Sequence, residues 1–229
     1  MKLYELVLKD GHAVSPFVWR ARMALAHKGL DYDSVPIGYG DKDQLAFSGQ
    51  DRVPVLEDGK TVVSDSWRIA CHLEEAYPDQ PSLFGGEGGR AAGLFFNRWA
   101  DTQQLGNLFL LCTPGTFDLT PEADQEYFRK SRFEWSGMTI EQMRDDPAAK
   151  IARLHGVLEP VRLTLQEQAW LAGDQPGFLD YCLFGGFMWA RTTTDYRLLD
   201  AEDPVEQWRQ RMLDLFDGLA RKAPAIQQD

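Results

Sequence analysis

The chain has 229 residues, 44% of them hydrophobic and 26% charged, enough to bury the core of one large domain or two of ordinary size. Its formal net charge is −11, divided −4 before Gly85 and −7 from there on, so neither half offers the basic surface that nucleic acid or an anionic membrane requires. Cys71, Cys112 and Cys182 are odd in number and far apart, the four histidines form no H-x-x-x-H pair, and no apolar run nears the ~20 residues of a membrane span. A disulfide scaffold, a metal site and a membrane-spanning protein are therefore set aside.

In chain order, residues 2–8 (KLYELVL) alternate and are apolar enough for an interior strand. This N-terminus lacks the apolar centre of a signal peptide, so the expected location is the cytoplasm. A polar loop at 9–14 leads to a helix over 16–28, with Ser15 as N-cap, Pro16 at the first position and Gly29 as terminator. Residues 32–36 read as a strand parallel to the first, and the Gly- and Asp-rich stretch 38–50 as irregular or weakly helical. Val53, Val55 and Leu56 then predict a third strand led by Pro54, a candidate for a cis peptide. Asp58-Gly59 predicts the hairpin turn and residues 61–63 the return strand. Ser64, Asp65 and Ser66 offer caps for a helix that carries Ile69, Leu73 and Tyr77 before Pro78. A helix N-terminus beside a proline-led strand edge suits a small peptide bearing carboxylates.

The stretch QPSLFGGEGG, residues 80–89, reads as a linker in which Leu83-Phe84 docks on a neighbouring unit. Beyond it only helices are predicted: over 90–111, 122–135, after Thr139, over 147–168, over 178–191, and from Pro204 onwards. A Pro/Thr/Gly loop is predicted at 112–121. Residues 178–191 are apolar all round and should form a buried helix. The architecture is a thioredoxin-like α/β N-terminal domain over 1–79, a linker over 80–89 and an all-α C-terminal domain over 90–229.

With Val53-Pro54-Val55, Asp65-Ser66 and the run from Gly173-Asp174 to Asp180, this architecture resembles the glutathione transferases over nearly the whole chain. SPFVWR at 15–20, RVPVL, DSWRIACHLEEAYPD, WLAGDQPGFLDY and LFDGL are similar to bacterial β-etherases and fungal etherase-like transferases in particular. One departure is Gly177, where the family usually has Ser, Thr or Asn three residues before the acid that answers to Asp180.

The resemblance implies glutathione as co-substrate, a hydrophobic aromatic small molecule as acceptor, a homodimer and no metal. It implies that Ser15 helps make the thiolate. Lowering a thiol pKa from about 8.5 by two units requires about 2.7 kcal/mol. A helix N-terminus supplies about 0.3 to 1 kcal/mol, up to ~2 when partly buried, and a hydrogen bond to a charged acceptor about 1.5 to 3. A serine at a helix start combines both. The backbone of Val53 beside Pro54 would pair with the cysteinyl unit, Asp65 would take the γ-glutamyl ammonium and Ser66 its carboxylate, with Lys42, Gln50 and Arg52 for the glycyl carboxylate. On the residues alone, Ser15 is an N-cap, Asp65 a helix N-terminal acid and Lys42 a surface charge. The implied reaction is attack of glutathione thiolate on an aromatic electrophile, with β-aryl ether cleavage as its specific form. General conjugation of aryl or alkyl electrophiles, or ligand binding without catalysis, are the alternatives.

Overall fold

The computed structural model describes residues 1–227. Its first part is a four-stranded sheet in the order β2-β1-β3-β4, built from β1 (Lys2–Leu6), β2 (Asp33–Ile37), β3 (Val55–Asp58) and β4 (Thr61–Ser64). Strands β1 and β2 run parallel around helix α1 (Pro16–His27), while β3 is antiparallel to both β1 and β4. The central place of β1 follows from its apolar alternation, and Pro36 is tolerated because β2 is an edge. Helix α2 (Ser66–Ala76) follows β4. The hairpin differs by one residue from its expected turn: Asp58 pairs with Thr61, so the loop is Gly59-Lys60, with Gly59 at φ 60 in the first loop position. A two-residue turn that needs positive φ there selects the glycine, and Asp58 becomes the last strand residue. The irregular stretch contains a 3-10 segment, Lys42–Ser48.

All remaining elements are helical: α3 (Glu87–Trp99), a π-helical turn (Ala100–Gln104), α4 (Leu105–Leu119), α5 (Glu122–Ser136), α6 (Ile140–Arg144), α7 (Pro147–Val157), α8 (Glu159–Glu167), α9 (Phe178–Thr193) and α10 (Pro204–Gly218). Helix α3 starts inside the stretch read as linker. The Pro/Thr/Gly loop is largely absent, because α4 continues through Pro114 to Leu119. The lost N–H and the proline's clash cost about 3 kcal/mol, but Leu108, Leu111, Cys112, Pro114 and Phe117 are all buried, and that apolar burial on both sides of Pro114 outweighs it. The final helix is interrupted: Leu215 leaves helical geometry, and Phe216 and Asp217 have φ of 53 and 56, which turns the Phe216 ring edge-on to Tyr181 and His27. Among the described residues no helix is long and apolar enough to cross a membrane.

Helix α9 is the axis of the assembly. Phe178, Tyr181, Cys182, Leu183, Phe184, Phe187 and Met188 are buried, as their all-round apolar pattern requires. It lies so close to α1 that a Cβ on Gly185 would stand 2.4 Å from the Pro16 carbonyl oxygen and 3.2 Å from Arg20 Cγ. Leu83 and Phe84 are buried against this region: the Phe178 N–H donates to the Leu83 carbonyl at 2.8 Å, and the Phe84 ring meets Trp67 and Phe178. Two polar ties reinforce the joint. The Ser82 carbonyl can only accept, so His27 Nε2–H donates to it (3.1 Å), and Nδ1 accepts from the Tyr181 hydroxyl (2.7 Å). The buried Lys28 ammonium meets Glu74 at 2.7 Å, and Glu74 also accepts from the Leu83 N–H.

Candidate functional site

The N-terminus of α1 is buried and lies against α9. Ser15 is buried, extended in backbone, and accepts from the Val18 N–H at a long 3.4 Å. That cap uses the oxygen as acceptor and leaves the hydroxyl hydrogen for another partner. The first turn of α1 presents fewer donors than a general helix start would. Pro16 has no N–H, the Val18 N–H goes to Ser15 Oγ and the Trp19 N–H to the Ser15 carbonyl, so Phe17 is left. Thiolate stabilisation here would rest on the Ser15 O–H and the Phe17 N–H, with the helix dipole behind them.

The second feature is the start of β3, which is paired with both β1 and β4, so Val53-Pro54 leads an interior strand and not the sheet edge expected from the sequence. The Val53-Pro54 peptide is cis, and β3 begins only at Val55, so Val53 lies outside the sheet pairing with its backbone uncommitted to a ladder. The Pro54 carbonyl accepts from the Asp65 N–H at 3.3 Å, which brings the start of α2 against the start of β3. Asp65 is exposed, has φ 78 and ψ 131, and caps α2 through Oδ1, which accepts from the Trp67 and Arg68 N–H groups at 3.1 Å each. A non-glycine residue at such φ carries strain, held here by the cap and by the Pro54 contact. Ser66 is buried at the first position of α2. Val53, Pro54, Asp65 and Ser66 therefore come together.

The three residues expected at the glycyl carboxylate are not equally held. Gln50 is exposed, and Arg52 projects with 89% of its side chain exposed, its guanidinium 3.8 Å from Asp51. Lys42 donates to the Tyr127 hydroxyl at 2.8 Å and to Asp51 at 3.4 Å; the Tyr127 bond, foremost, holds its pKa above the ordinary lysine value.

The wall on the other side comes from the helical half. Leu8, Val14 and Leu119 form a small buried cluster against which Leu6, Tyr39 and Trp189 pack, so the residue before Ser15 touches the aromatic region directly. From Trp189, whose Nε1–H donates to Thr116 Oγ1 at 2.9 Å, a row of rings continues through Phe109 (centroids 6.4 Å apart) to Trp135 (4.2 Å further), which is 69% exposed. Tyr39 closes one side, its ring 5.3 Å from Phe128; partial burial pushes its phenol up to about 12, against the nearby Arg132. Sequence reasoning did not single out Val14 or Tyr39. The available signal was an aromatic between two glycines, Gly38-Tyr39-Gly40. A cavity of about 400 Å³ past the end of α9, lined by Phe187, Tyr196, Leu199 and Ile226 among others, shares no residue with this groove. A peptide held at a strand start and two helix ends needs no enclosed cavity.

Arg20 and Asp180 support the site from within. The guanidinium of Arg20 is fully buried, donates to the Cys182 carbonyl at 3.1 Å and meets Asp101 at 2.6 Å. Asp180 accepts from the N–H groups of Leu171 (2.8 Å), Ala172 (3.2 Å) and Gly177 (3.0 Å) and from Trp208 Nε1–H (2.8 Å). The Gly177 bond keeps one half of a capping box; the other half needs a side chain that glycine lacks. Burial pushes the Cys182 thiol up to about 12 and Cys112 higher still, which makes both poor nucleophiles.

Comparison with known proteins finds relatives for both halves of the chain. Residues 11–81 match the description "Glutathione S-transferase, N-terminal domain" and residues 91–214 match "Glutathione S-transferase, C-terminal domain". Over 176 residues the chain is 31% identical to the maleylacetoacetate isomerase of Pseudomonas aeruginosa, covering 72% of each protein. Matches to several plant glutathione S-transferases span only about a third of those proteins, 31 to 35% of their length. Among solved structures it resembles glutathione transferase GSTFuA3 of Phanerochaete chrysosporium (TM-score 0.76, 28% identity, 95% of this chain and 91% of that one). It also resembles CsGST63524 of Ceriporiopsis subvermispora, solved in complex with glutathione (TM-score 0.77, 22% identity, 94% and 96%). A four-stranded sheet whose third strand follows a cis proline, a helical half built around α9 and matches across both halves together establish that the chain belongs to the glutathione S-transferase family.

Proposed function

We propose that this protein binds glutathione along the Val53-Pro54 segment at the start of β3 and the Asp65-Ser66 helix start, forms its thiolate beside Ser15, and directs it at a hydrophobic aromatic electrophile. In this reading residues 1–79 are the glutathione-binding domain, 80–89 the connection and 90–229 the acceptor domain of a cytoplasmic homodimer. The observation that carries the proposal is the adjacency of Ser15 and Val14: the hydroxyl that would stabilise sulfur is one residue from the side chain packed with Tyr39, Leu119 and Trp189. An anion-stabilising point and an aromatic wall thus meet at one place, as an aligned attack on an aryl-bearing carbon requires.

The specific form we propose is β-aryl ether cleavage, supported by the motif resemblance from Ser15 to Arg20 and around Asp65. The thiolate sulfur forms a bond to the carbon bearing the aryloxy group, the C–O bond breaks, and its electron pair leaves as phenolate, which takes a proton from water. No oxidant or reductant is consumed. A model α-keto β-aryl ether should therefore release free phenol together with a glutathione thioether. Conjugation of aryl halides with no phenol released from the ether would leave general conjugation in its place. The 31% identity to a maleylacetoacetate isomerase favours one further reading, in which the thiolate adds to an activated alkene and leaves again. That reaction consumes no thiol, so thiol titration during turnover separates the two. Difference ultraviolet absorbance of bound thiolate tests the shared first step; its absence on saturating with glutathione would reject catalysis and leave a binding protein.

A further inference from the structure

Of the three side chains considered for the glycyl carboxylate, Lys42 alone is anchored by the helical half of the molecule. Its ammonium donates to the Tyr127 hydroxyl at 2.8 Å and to Asp51 at 3.4 Å, and the nitrogen lies 4.8 Å from the centroid of the Tyr127 ring. An ammonium has three N–H donors in tetrahedral arrangement, so two partners fix the direction of the third and leave it for an incoming acceptor. Tyr127 belongs to α5. The loop carrying Lys42 is seated on the same helix at two further points. An added Cβ at Gly40 would stand 3.0 Å from an Asp124 carboxylate oxygen, and the Tyr39 ring packs on Phe128 and, at 6.3 Å, on Tyr127 itself.

We infer that Tyr127 is a positioning residue for glutathione: it holds the Lys42 ammonium ready for the glycyl carboxylate, so the glutathione site is completed by a helix of the acceptor half. The inference rests on the glutathione reading above and deepens it. A free lysine has a long stem whose rotamer freedom is lost when it engages a ligand; one already held loses less, and the difference appears as affinity. Because Phe128 and Trp135 share α5 with Tyr127, changes in the acceptor wall should also be felt as changes in glutathione binding.

The test is calorimetric titration of the full chain with glutathione and with γ-glutamylcysteine, whose carboxylate stops one residue short of the glycyl position. Tyr127→Phe, which keeps the ring and removes the hydroxyl, should weaken glutathione about 3- to 10-fold, the range of one hydrogen bond's net contribution, and leave γ-glutamylcysteine unchanged. In a Lys42→Ala background the same substitution should add no further loss. Turnover should show a raised KM for glutathione with unchanged kcat. Glutathione bound as tightly or more tightly by Tyr127→Phe, or an equal loss for both thiols, or an equal loss with and without Lys42, would overturn the inference and leave the glutathione reading standing. A parent protein that binds neither thiol would remove both.

Discussion

Two aspartates in or beside the first turn of a helix, Asp65 at α2 and Asp180 in α9, are used in opposite ways. Asp65 precedes α2, is exposed, sits at φ 78, and directs one oxygen to local N–H groups. Asp180 stands one turn into α9, is fully buried, and receives four donors from three separate segments, including the indole of Trp208. The same carboxylate is a ligand candidate where water and the start of a strand face it, and a structural lock where backbone and indole donors surround it. Asp65 holds its strain with its own cap and one bond to the Pro54 carbonyl, while Asp180 fixes the helix that braces α1.

The sharpest way to break the comparison is to remove both acids. Asp180→Ala orphans three buried donors and a fourth at the surface, and should lose about 3 to 5 kcal/mol of stability in chemical denaturation. Asp65→Ala should cost only about 1 kcal/mol of stability, as a lost cap does, but about 2 to 5 kcal/mol of glutathione affinity if the ammonium pair is desolvated. Equal stability losses in the two variants, with glutathione affinity intact, would erase the distinction.

Ser15→Ala sharpens the role of the α1 start. Loss of one hydrogen bond to a charged sulfur should cost about 1.5 to 3 kcal/mol, roughly ten- to hundredfold in turnover near neutral pH, with the deficit shrinking at alkaline pH where the thiolate forms unaided. A pH profile identical to the parent's would assign Ser15 to capping alone. Gly185→Ala tests the bracing by α9: a methyl 2.4 Å from the Pro16 oxygen must push α1, so about 1 to 3 kcal/mol of stability should be lost together with activity.

The smallest expected effect is in the His27 tie between α1, the connecting segment and α9. Burial lowers the His27 pKa, outweighing the Ser82 bond, so the unfolded chain binds the proton more readily than the folded one. Stability from this tie is therefore present above the unfolded value of about 6.5 and declines as pH falls through the lower folded value. His27→Gln should flatten that slope in denaturation curves between about pH 7 and 5; an unchanged slope would place the acid sensitivity elsewhere.

Legibility differed between the halves. In the sheet half, Ser15, Pro16, Gly29, Pro54 and Asp65 each stand where a local backbone rule needs them, and the elements fell within a residue or two of expectation. The hairpin shifted by one residue because Asp-Gly and Gly-Lys both satisfy a two-residue turn, and only strand pairing selects between them. In the helical half, Pro114 and Gly115 spell a loop by local propensity. The chain stays helical there because its apolar residues are buried on both sides and because only a glycine fits where a Cβ would stand 1.6 Å from the Thr193 oxygen.

What the sequence determined by itself was whatever depends on neighbours in the chain: strand alternation, caps, the buried character of α9, and the motifs at Ser15 and at Asp65-Ser66 that mark the candidate site. Only the tertiary structure decided which of Lys42, Gln50 and Arg52 is held, that Tyr39 and Val14 join the aromatic wall, and that Asp180 is a lock rather than a ligand. The reason is physical. A capping bond or a turn closes over two to four residues, whereas burial and the choice of partner across 85 residues, as between Lys42 and Tyr127, exist only once the sheet and the helices have packed.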